Sequence, residues 1–189
     1  PVERVAMVTV RPAGPEDAAD VVRVQIGTWQ TAYAGIMPAS VLAHLDEERE
    51  RRTQVIRERL ASGSSPFSTL VAVDDGRVVG FATYGPYRRQ EEEGQGLDPT
   101  VGEVLAIYVE QAYQGRGAGR ALMDRAVADL RDRGLDTVRL WVLEENSPAR
   151  RFYERYGYVA DGARHHFRVT EPDGTPVDLP VVRYTLRLR

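Results

Sequence analysis

The sequence has no cysteine, which excludes disulfides, thiolate metal sites and thiol nucleophiles. It also lacks any apolar run near the roughly 18 to 20 residues that a membrane-spanning helix needs. Neither sign of charge prevails: 25 Lys and Arg stand against 28 Asp and Glu, a net −3. With a pI near 5.7 there is no broad basic field for nucleic acid, despite local arginine clusters. Residues Pro1 to Val10 show no basic segment with a continuous apolar stretch behind it, so no secretory leader is read there. These absences set the expectation of a cytoplasmic protein with no metal, membrane or nucleic-acid partner. The 189 residues are 42% hydrophobic and no Pro/Gly/Ser-rich linker divides them, so one domain over 1–189 is expected.

Periodicity gives the order of elements. Val5 to Arg11 alternates and is β-branched, a first strand that Pro12 and Gly14 break. A helix follows from Pro15 to Gly35, with Ala18, Val22, Gln25, Ile26, Trp29 and Tyr33 at helical spacing. Pro38 opens a second helix to Leu60, with Val41, Leu45, Ile56 and Leu60 on one face and the charge run Asp46 to Arg52 facing solvent. Thr69 to Val73 and Arg77 to Tyr84 flank Asp74-Asp75-Gly76, a hairpin signal. Tyr87 to Thr100 is polar, acidic and glycine-bearing, and reads as an exposed, mobile loop. Glu103 to Val109 is near-continuously apolar, implying a strand buried on both faces. Leu122, Ala126 and Leu130 mark a helix that stops at Gly134. Thr137 to Leu143 is a strand, Asn146 to Tyr156 a short helix capped by Gly157, and Tyr158 to Val169 and Val177 to Leu188 two last strands joined by Pro172-Asp173-Gly174-Thr175. The order βααβββαβαββ predicts an α/β protein, helices packed around one mixed sheet.

Between the strand ending at Val109 and the helix containing Leu122 lies Gln114-Gly115-Arg116-Gly117-Ala118-Gly119. Alternating glycines let the backbone turn tightly and approach a ligand, and the following helix aims its first unpaired N–H groups into the loop. An anion is expected there. A Walker loop would need Lys-Ser/Thr after its glycines, and none follows, so ATP hydrolysis is disfavoured. A dinucleotide fingerprint would need a third glycine where Arg120 stands. Asp136 lies near the spacing of a ribose-binding acid, but the stretch follows a hairpin rather than a first strand, which argues against that reading.

The loop matches Q/R-x-x-G-x-G/A, the acetyl-coenzyme A signature of the GNAT superfamily of N-acetyltransferases, which the chain resembles. Asn146-Ser147-Pro148-Ala149-Arg150-Arg151-Phe152-Tyr153-Glu154-Arg155-Tyr156-Gly157-Tyr158 is similar to that family's N-x-x-A-x-x-x-Y-x-x-x-G-F/Y stretch, and the element order agrees. The resemblance implies a GNAT-type fold with a splayed central sheet flanked by helices, acetyl-coenzyme A as cosubstrate and no metal. It also implies direct transfer of an acetyl group to a primary amine. The acceptor class it favours is a small molecule such as a polyamine, amino acid or amine-bearing antibiotic. A protein amine, at lysine or an N-terminus, is the alternative, and a non-catalytic acyl-coenzyme A binding module is a second. Homodimers are common in the family.

By the same resemblance Gln114, Gly115, Arg116, Gly117, Ala118 and Gly119 bind the diphosphate, with Arg116 and Arg120 as added cationic contacts. Ile107, Tyr108 and Val109 offer main-chain contacts to the pantetheine arm, the Val109 N–H facing the thioester oxygen. Asn146 bonds the same arm, although an Asn before a Pro-containing helix start also reads as a cap. Tyr153 is the expected general acid: a phenol of pKa roughly 10 lies close enough to a thiol of roughly 8.5 to protonate the departing sulfur. Glu103 resembles the family's base, which matters because an alkylamine of pKa roughly 10.4 needs about 4.6 kcal/mol to shed its proton at pH 7. His165 and His166 are weaker candidates, since neighbouring residues on a strand face opposite ways. Trp29 and Tyr33, with Gly35 to Pro38, are expected at the acceptor pocket, and Arg88, Arg89 and Glu91 to Glu93 at its entrance.

Overall fold

A computed structural model of the protein describes residues 8–188. The first strand, β1 (Thr9–Pro12), pairs antiparallel with β2 (Ser68–Asp74); Val5 to Met7 of the expected strand lie outside the described residues. Helix α1 (Ala18–Ala32) follows a 3-10 turn at Pro15–Asp17. That turn is fastened by Asp17, which accepts from the Gly14 N–H and from both terminal nitrogens of Arg11.

The expected second helix is two helices, α2 (Ala39–His44) and α3 (Arg49–Ser62). The break has a physical cause in the charge run. Leu45 turns into the core at 4% exposure, and Asp46 accepts from Gln30 and Arg49 while Glu48 accepts from Arg52. Those carboxylates start a new helix, where negative charge meets the positive end of the dipole. Helix α3 buries none of its residues fully; Ile56, half-buried, packs against the cluster of Val41 and Leu45, whereas Leu60 does not join it.

Strand β2 turns through Asp75-Gly76, both in the left-handed region at φ 47° and 77°, into β3 (Arg77–Arg88), the two-residue turn that twisted antiparallel strands favour. Strand β4 (Leu97–Val109) pairs with β3 as far as Tyr87↔Asp98 and Arg88↔Leu97. The expected mobile loop therefore shrinks to residues 89–96. Its anchor is Glu93, whose carboxylate accepts from the Tyr87 hydroxyl, the Gln90 N–H and the Arg183 guanidinium. Pro86 is tolerated because β2 pairing ends at Ser68↔Tyr84, leaving that stretch of β3 with one neighbour.

Helix α4 (Ala118–Asp132) is followed by β5 (Thr137–Leu143), α5 (Ser147–Tyr156), β6 (Val159–Thr170) and β7 (Pro176–Arg187). The sheet order is β1-β2-β3-β4-β5-β7-β6, every pair antiparallel except β4 with β5. Helices α4 and α5 cover one face through Leu122, Met123, Ala126, Leu130 and Tyr153. The other face is covered by α1 and α2 through Ile26, Tyr33, Val41 and Leu42. Among the described residues no helix is long and apolar enough to cross a membrane.

Burial alone would push the Glu93 and Asp161 carboxyls up. The hydrogen bonds outweigh it, from Gln90, Tyr87 and Arg183 for Glu93 and from Thr185, Ala163 and Arg183 for Asp161, and both are held below the ordinary carboxylate range. Their stabilisation is therefore fully present above the unfolded values, about pH 4, and is lost as pH falls through the lowered folded values. Glu93→Gln should cost on the order of 1–2 kcal/mol at pH 7. Denaturant melts across pH should show the gap between native protein and variant closing below about pH 4; a gap independent of pH would mean that Glu93 acts by packing alone.

Candidate active site

Strands β4 and β5 are paired at only two positions, Gly102↔Val138 and Glu103↔Arg139. Beyond them the strands part, and a cleft of ≈ 960 Å³ opens between the two helix layers. The expectation that Glu103 to Val109 is buried on both faces fails for this reason: Leu105 to Tyr108 are only half-buried, because the cleft removes their neighbour.

Backbone direction along β4 follows from one hydrogen bond. The Glu110 N–H donates to the Val79 carbonyl at 2.8 Å, and antiparallel pairs alternate. Tyr108 therefore turns its N–H and C=O to β3, opposite Phe81. Ile107 and Val109 turn theirs to the cleft. Of the three residues expected to offer main-chain contacts, two have backbone that faces the cleft. Tyr108 instead contributes its side chain, whose hydroxyl lies 3.3 Å from that of Tyr33.

At the cleft mouth the chain passes through residues 114–117 into α4. Gly115 and Gly117 have φ of 73° and 87°, a region where a Cβ is strained. Among the described residues no backbone N–H from 115 to 120 has a hydrogen-bond partner; the first to be satisfied is Ala121, on the Gly117 carbonyl. Gln114 spends its side chain inward, Nε2 donating to the Val109 carbonyl at 3.1 Å, so it ties the loop to the end of β4. Arg116 lies over the Tyr113 ring, and Arg120 over the Tyr156 ring and 3.8 Å from Asp124. Arg120 and Arg155 border the cleft. Arg155 is exposed and has no ion-pair partner among the described residues; the sequence reading passed over it.

Asn146 caps α5, its Oδ1 accepting from the Ala149 N–H at 3.4 Å. It is 9% exposed and borders the cleft, so the cap uses the carbonyl oxygen of its amide and leaves the NH₂ group for another partner. Two turns later Tyr153 is buried at 9% exposure, with its ring among Phe152, Tyr158 and Tyr184. Its hydroxyl has no hydrogen-bond partner among the described residues. Burial, reinforced by the nearby Tyr108, pushes its phenol up, so it stays protonated.

Glu103 stands within β4, not at its start, and is 1% exposed. Its Oε1 accepts from the Arg88 N–H at 3.0 Å, and its Oε2 accepts from the Arg88 guanidinium at 3.0 and 2.6 Å. The loop expected over Tyr87 to Thr100 includes Arg88. Extension of the β3–β4 hairpin brings it to Glu103, and the non-alternating stretch Tyr84-Gly85-Pro86-Tyr87-Arg88 carries no local signal of that extension.

Trp29 and Tyr33 border the cleft from α1 and its end, ring to ring at 5.3 Å. Burial pushes the Tyr33 phenol up, with Tyr108 adding to it. His165 is half-buried against Trp141, with its Nδ1 3.9 Å from Glu92, whereas His166 is exposed. Trp141 of β5 also borders the cleft; its strand was read correctly, but its side of the sheet was not assigned.

Residues 29–158 match the family described as the acetyltransferase (GNAT) family. The uncharacterised N-acetyltransferase YuaI of Bacillus subtilis is 35% identical over 150 residues, which span 79% of each chain. Mycothiol acetyltransferase of Rhodococcus erythropolis is 33% identical over 162 residues, 82% of this chain and 47% of that protein. The chain thus spans about half the length of that relative. In fold it is similar to the PaiA N-acetyltransferase of Thermoplasma acidophilum, solved in complex with coenzyme A, at a TM-score of 0.70 and 18% identity over 96% of this chain and 99% of that one. A mixed sheet splayed between β4 and β5, a glycine loop of unpaired N–H groups and the match across residues 29–158 lead to one conclusion: the chain belongs to the GNAT family of acetyl-coenzyme A-dependent N-acetyltransferases.

Proposed function

We propose that this chain, as one domain over 1–189, transfers an acetyl group from acetyl-coenzyme A directly to the primary amine of a small molecule in the cytoplasm. The observation that carries the reading is the parting of β4 from β5, which leaves the Ile107 backbone and the Val109 N–H without a strand partner in a cleft lined by Tyr153 and Glu103. The mycothiol acetyltransferases among its relatives support a small-molecule acceptor.

The residues present fit coenzyme A. Unpaired N–H groups from 115 to 120 and the start of α4 suit a diphosphate, with Arg120 and Arg155 adjacent as cations. The cleft-facing edge of Ile107 and Val109 suits the amides of a pantetheine arm, and the free NH₂ of Asn146 suits one of its carbonyls. Bound there, acetyl-coenzyme A supplies the thioester carbon that the amine attacks. Val109 would donate its N–H to the carbonyl oxygen as charge develops on it, which matters more in a site that excludes water. Tyr153 would give its proton to the departing sulfur. Its phenol is pushed up by burial, and a thiolate in the same apolar surroundings is pushed up by the same cause, so the gap between them stays modest. Glu103 would accept the amine's proton on the lone pair of Oε1 that Arg88 leaves open, while Arg88 fixes the carboxylate's direction.

Three variants test these roles. Gly117→Ala meets no atom within 4 Å, so its effect is on the backbone alone. Calorimetry should show acetyl-coenzyme A affinity lowered about tenfold or more, since charge-assisted hydrogen bonds of about 1.5–3 kcal/mol are misaimed; unchanged affinity would remove the loop from the site. Tyr153→Phe should lower kcat about 100-fold with acetyl-coenzyme A affinity nearly unchanged, and full turnover would eliminate Tyr153 as the acid. For Glu103→Gln the rate loss should shrink as pH rises and the amine deprotonates unaided, whereas a loss constant with pH would assign Glu103 to binding. Tight acetyl-coenzyme A binding with no thiol release from any amine or peptide would reveal a binding module instead of an enzyme.

A further inference from the structure

The acceptor side of the cleft is walled by rings. Trp29 meets Phe167 of β6 edge-on, with centroids 6.1 Å apart and planes at 83°. Trp141 of β5 meets His165 of the same β6 at 6.2 Å. His165 and Phe167 are alternate residues of one strand and share a face of the sheet, so the two ring pairs form a single wall from α1 across β6 to β5. All four border the cleft. Phe167 stays 40% exposed although large and apolar, which places an uncovered ring at the rim.

Charge is the second observation. Of the residues bordering the cleft, Glu103 alone is acidic, and Arg88 already neutralises it. An acceptor carrying several ammonium groups would leave water for a wall with no free carboxylate, at a cost that burial of charge makes large. Cation–π attraction does not offset this at Trp141, because the Arg183 guanidinium already lies 5.6 Å from its ring centroid. A single amine on a flat apolar body has no such penalty. Its ring meets rings in edge or offset contacts, and its one cationic group can reach the Arg88–Glu103 pair, where it loses its charge on acetylation.

Resting on the acetyl-transfer reading above, we propose that the acceptor is a primary monoamine with an aromatic body, and that Trp141 and Phe167, with Trp29, select it. In the reaction the amine nitrogen bonds to the acetyl carbon as the carbon–sulfur bond breaks. Of the two protons the ammonium gives up, one leaves to solvent. The other balances the proton that Tyr153 passes to the thiol.

The test is thiol release by the full chain with acetyl-coenzyme A and phenethylamine, spermidine or a short peptide with a free N-terminus. The kcat/KM for phenethylamine should exceed that for spermidine by about tenfold or more. Phe167→Ala and Trp141→Leu should each raise the KM for phenethylamine about tenfold, with acetyl-coenzyme A affinity by calorimetry unchanged, and Trp141→Phe should restore most of the loss. Because Phe167 lies at the rim, its variant decides the matter if Trp141→Leu does not fold. Preference for spermidine or the peptide overturns the aromatic assignment and leaves acetyl transfer standing, as does an unchanged KM in both variants. Release from no amine, with acetyl-coenzyme A still bound, overturns both.

Discussion

The parallel contact between β4 and β5 ends after Gly102↔Val138 and Glu103↔Arg139, and the rest of the site depends on that. Each strand is secured on its other side, β4 by β3 from Arg88 to Gly80 and β5 by β7 from Thr137 to Leu143. The sheet can therefore open in its middle without losing either half. At the joint the packing is tight: a Cβ at Gly102 would lie 2.9 Å from the Leu130 side chain, so α4 is seated directly on the point where the strands part. Unpaired backbone in a half-buried groove is costly unless water or a ligand satisfies it. A cleft of ≈ 960 Å³ at that position is the place where such a cost is met by binding.

The two ends of the cleft differ in their electrostatics. At the mouth, unpaired N–H groups, a helix start and the guanidiniums of Arg120 and Arg155 add positive potential with no acid bordering the cleft beside them. At the other end Arg88 balances the charge of Glu103 and the remaining wall is aromatic. An overall charge of −3 predicts neither feature. What matters is local satisfaction of donors and acids: the mouth leaves backbone N–H groups free, whereas the aromatic wall pairs its acid and leaves the buried indole N–H groups of Trp29 and Trp141 unpartnered.

Much of this was legible in the sequence where a local rule acts alone. The glycine loop could be read because Gly115 and Gly117 need a left-handed backbone, and α4 because Leu122, Ala126 and Leu130 recur at helical spacing and are buried. Reading failed where distant residues decide. Periodicity puts Leu45 on the apolar face, but nothing near it in sequence reveals that the helix splits there. The acidic stretch around Glu93 reads as solvated until Arg183, ninety positions away, supplies its partner. The same long-range bond makes Tyr87 core, and with it Arg88 becomes a strand residue rather than a loop residue.

That chain of dependence reaches the chemistry. Arg88 meets Glu103 only because β3 continues past Pro86, and β3 continues because Tyr87 is fixed at its hydroxyl by Glu93 and Arg183. Arg183 is in turn held by Asp161, while the Arg139 guanidinium lies 5.0 Å from the Tyr87 centroid. Strand β7, which carries Arg183, is thus coupled through one polar network to the orientation of a carboxylate on β4, across the sheet's own opening. Backbone pairing between β4 and β5 is too short to fix their separation. Side chains bridging from β7 to the β3–β4 turn add a second tie at the Glu103 end of the cleft, and through it β7 and the placement of Glu103 are linked.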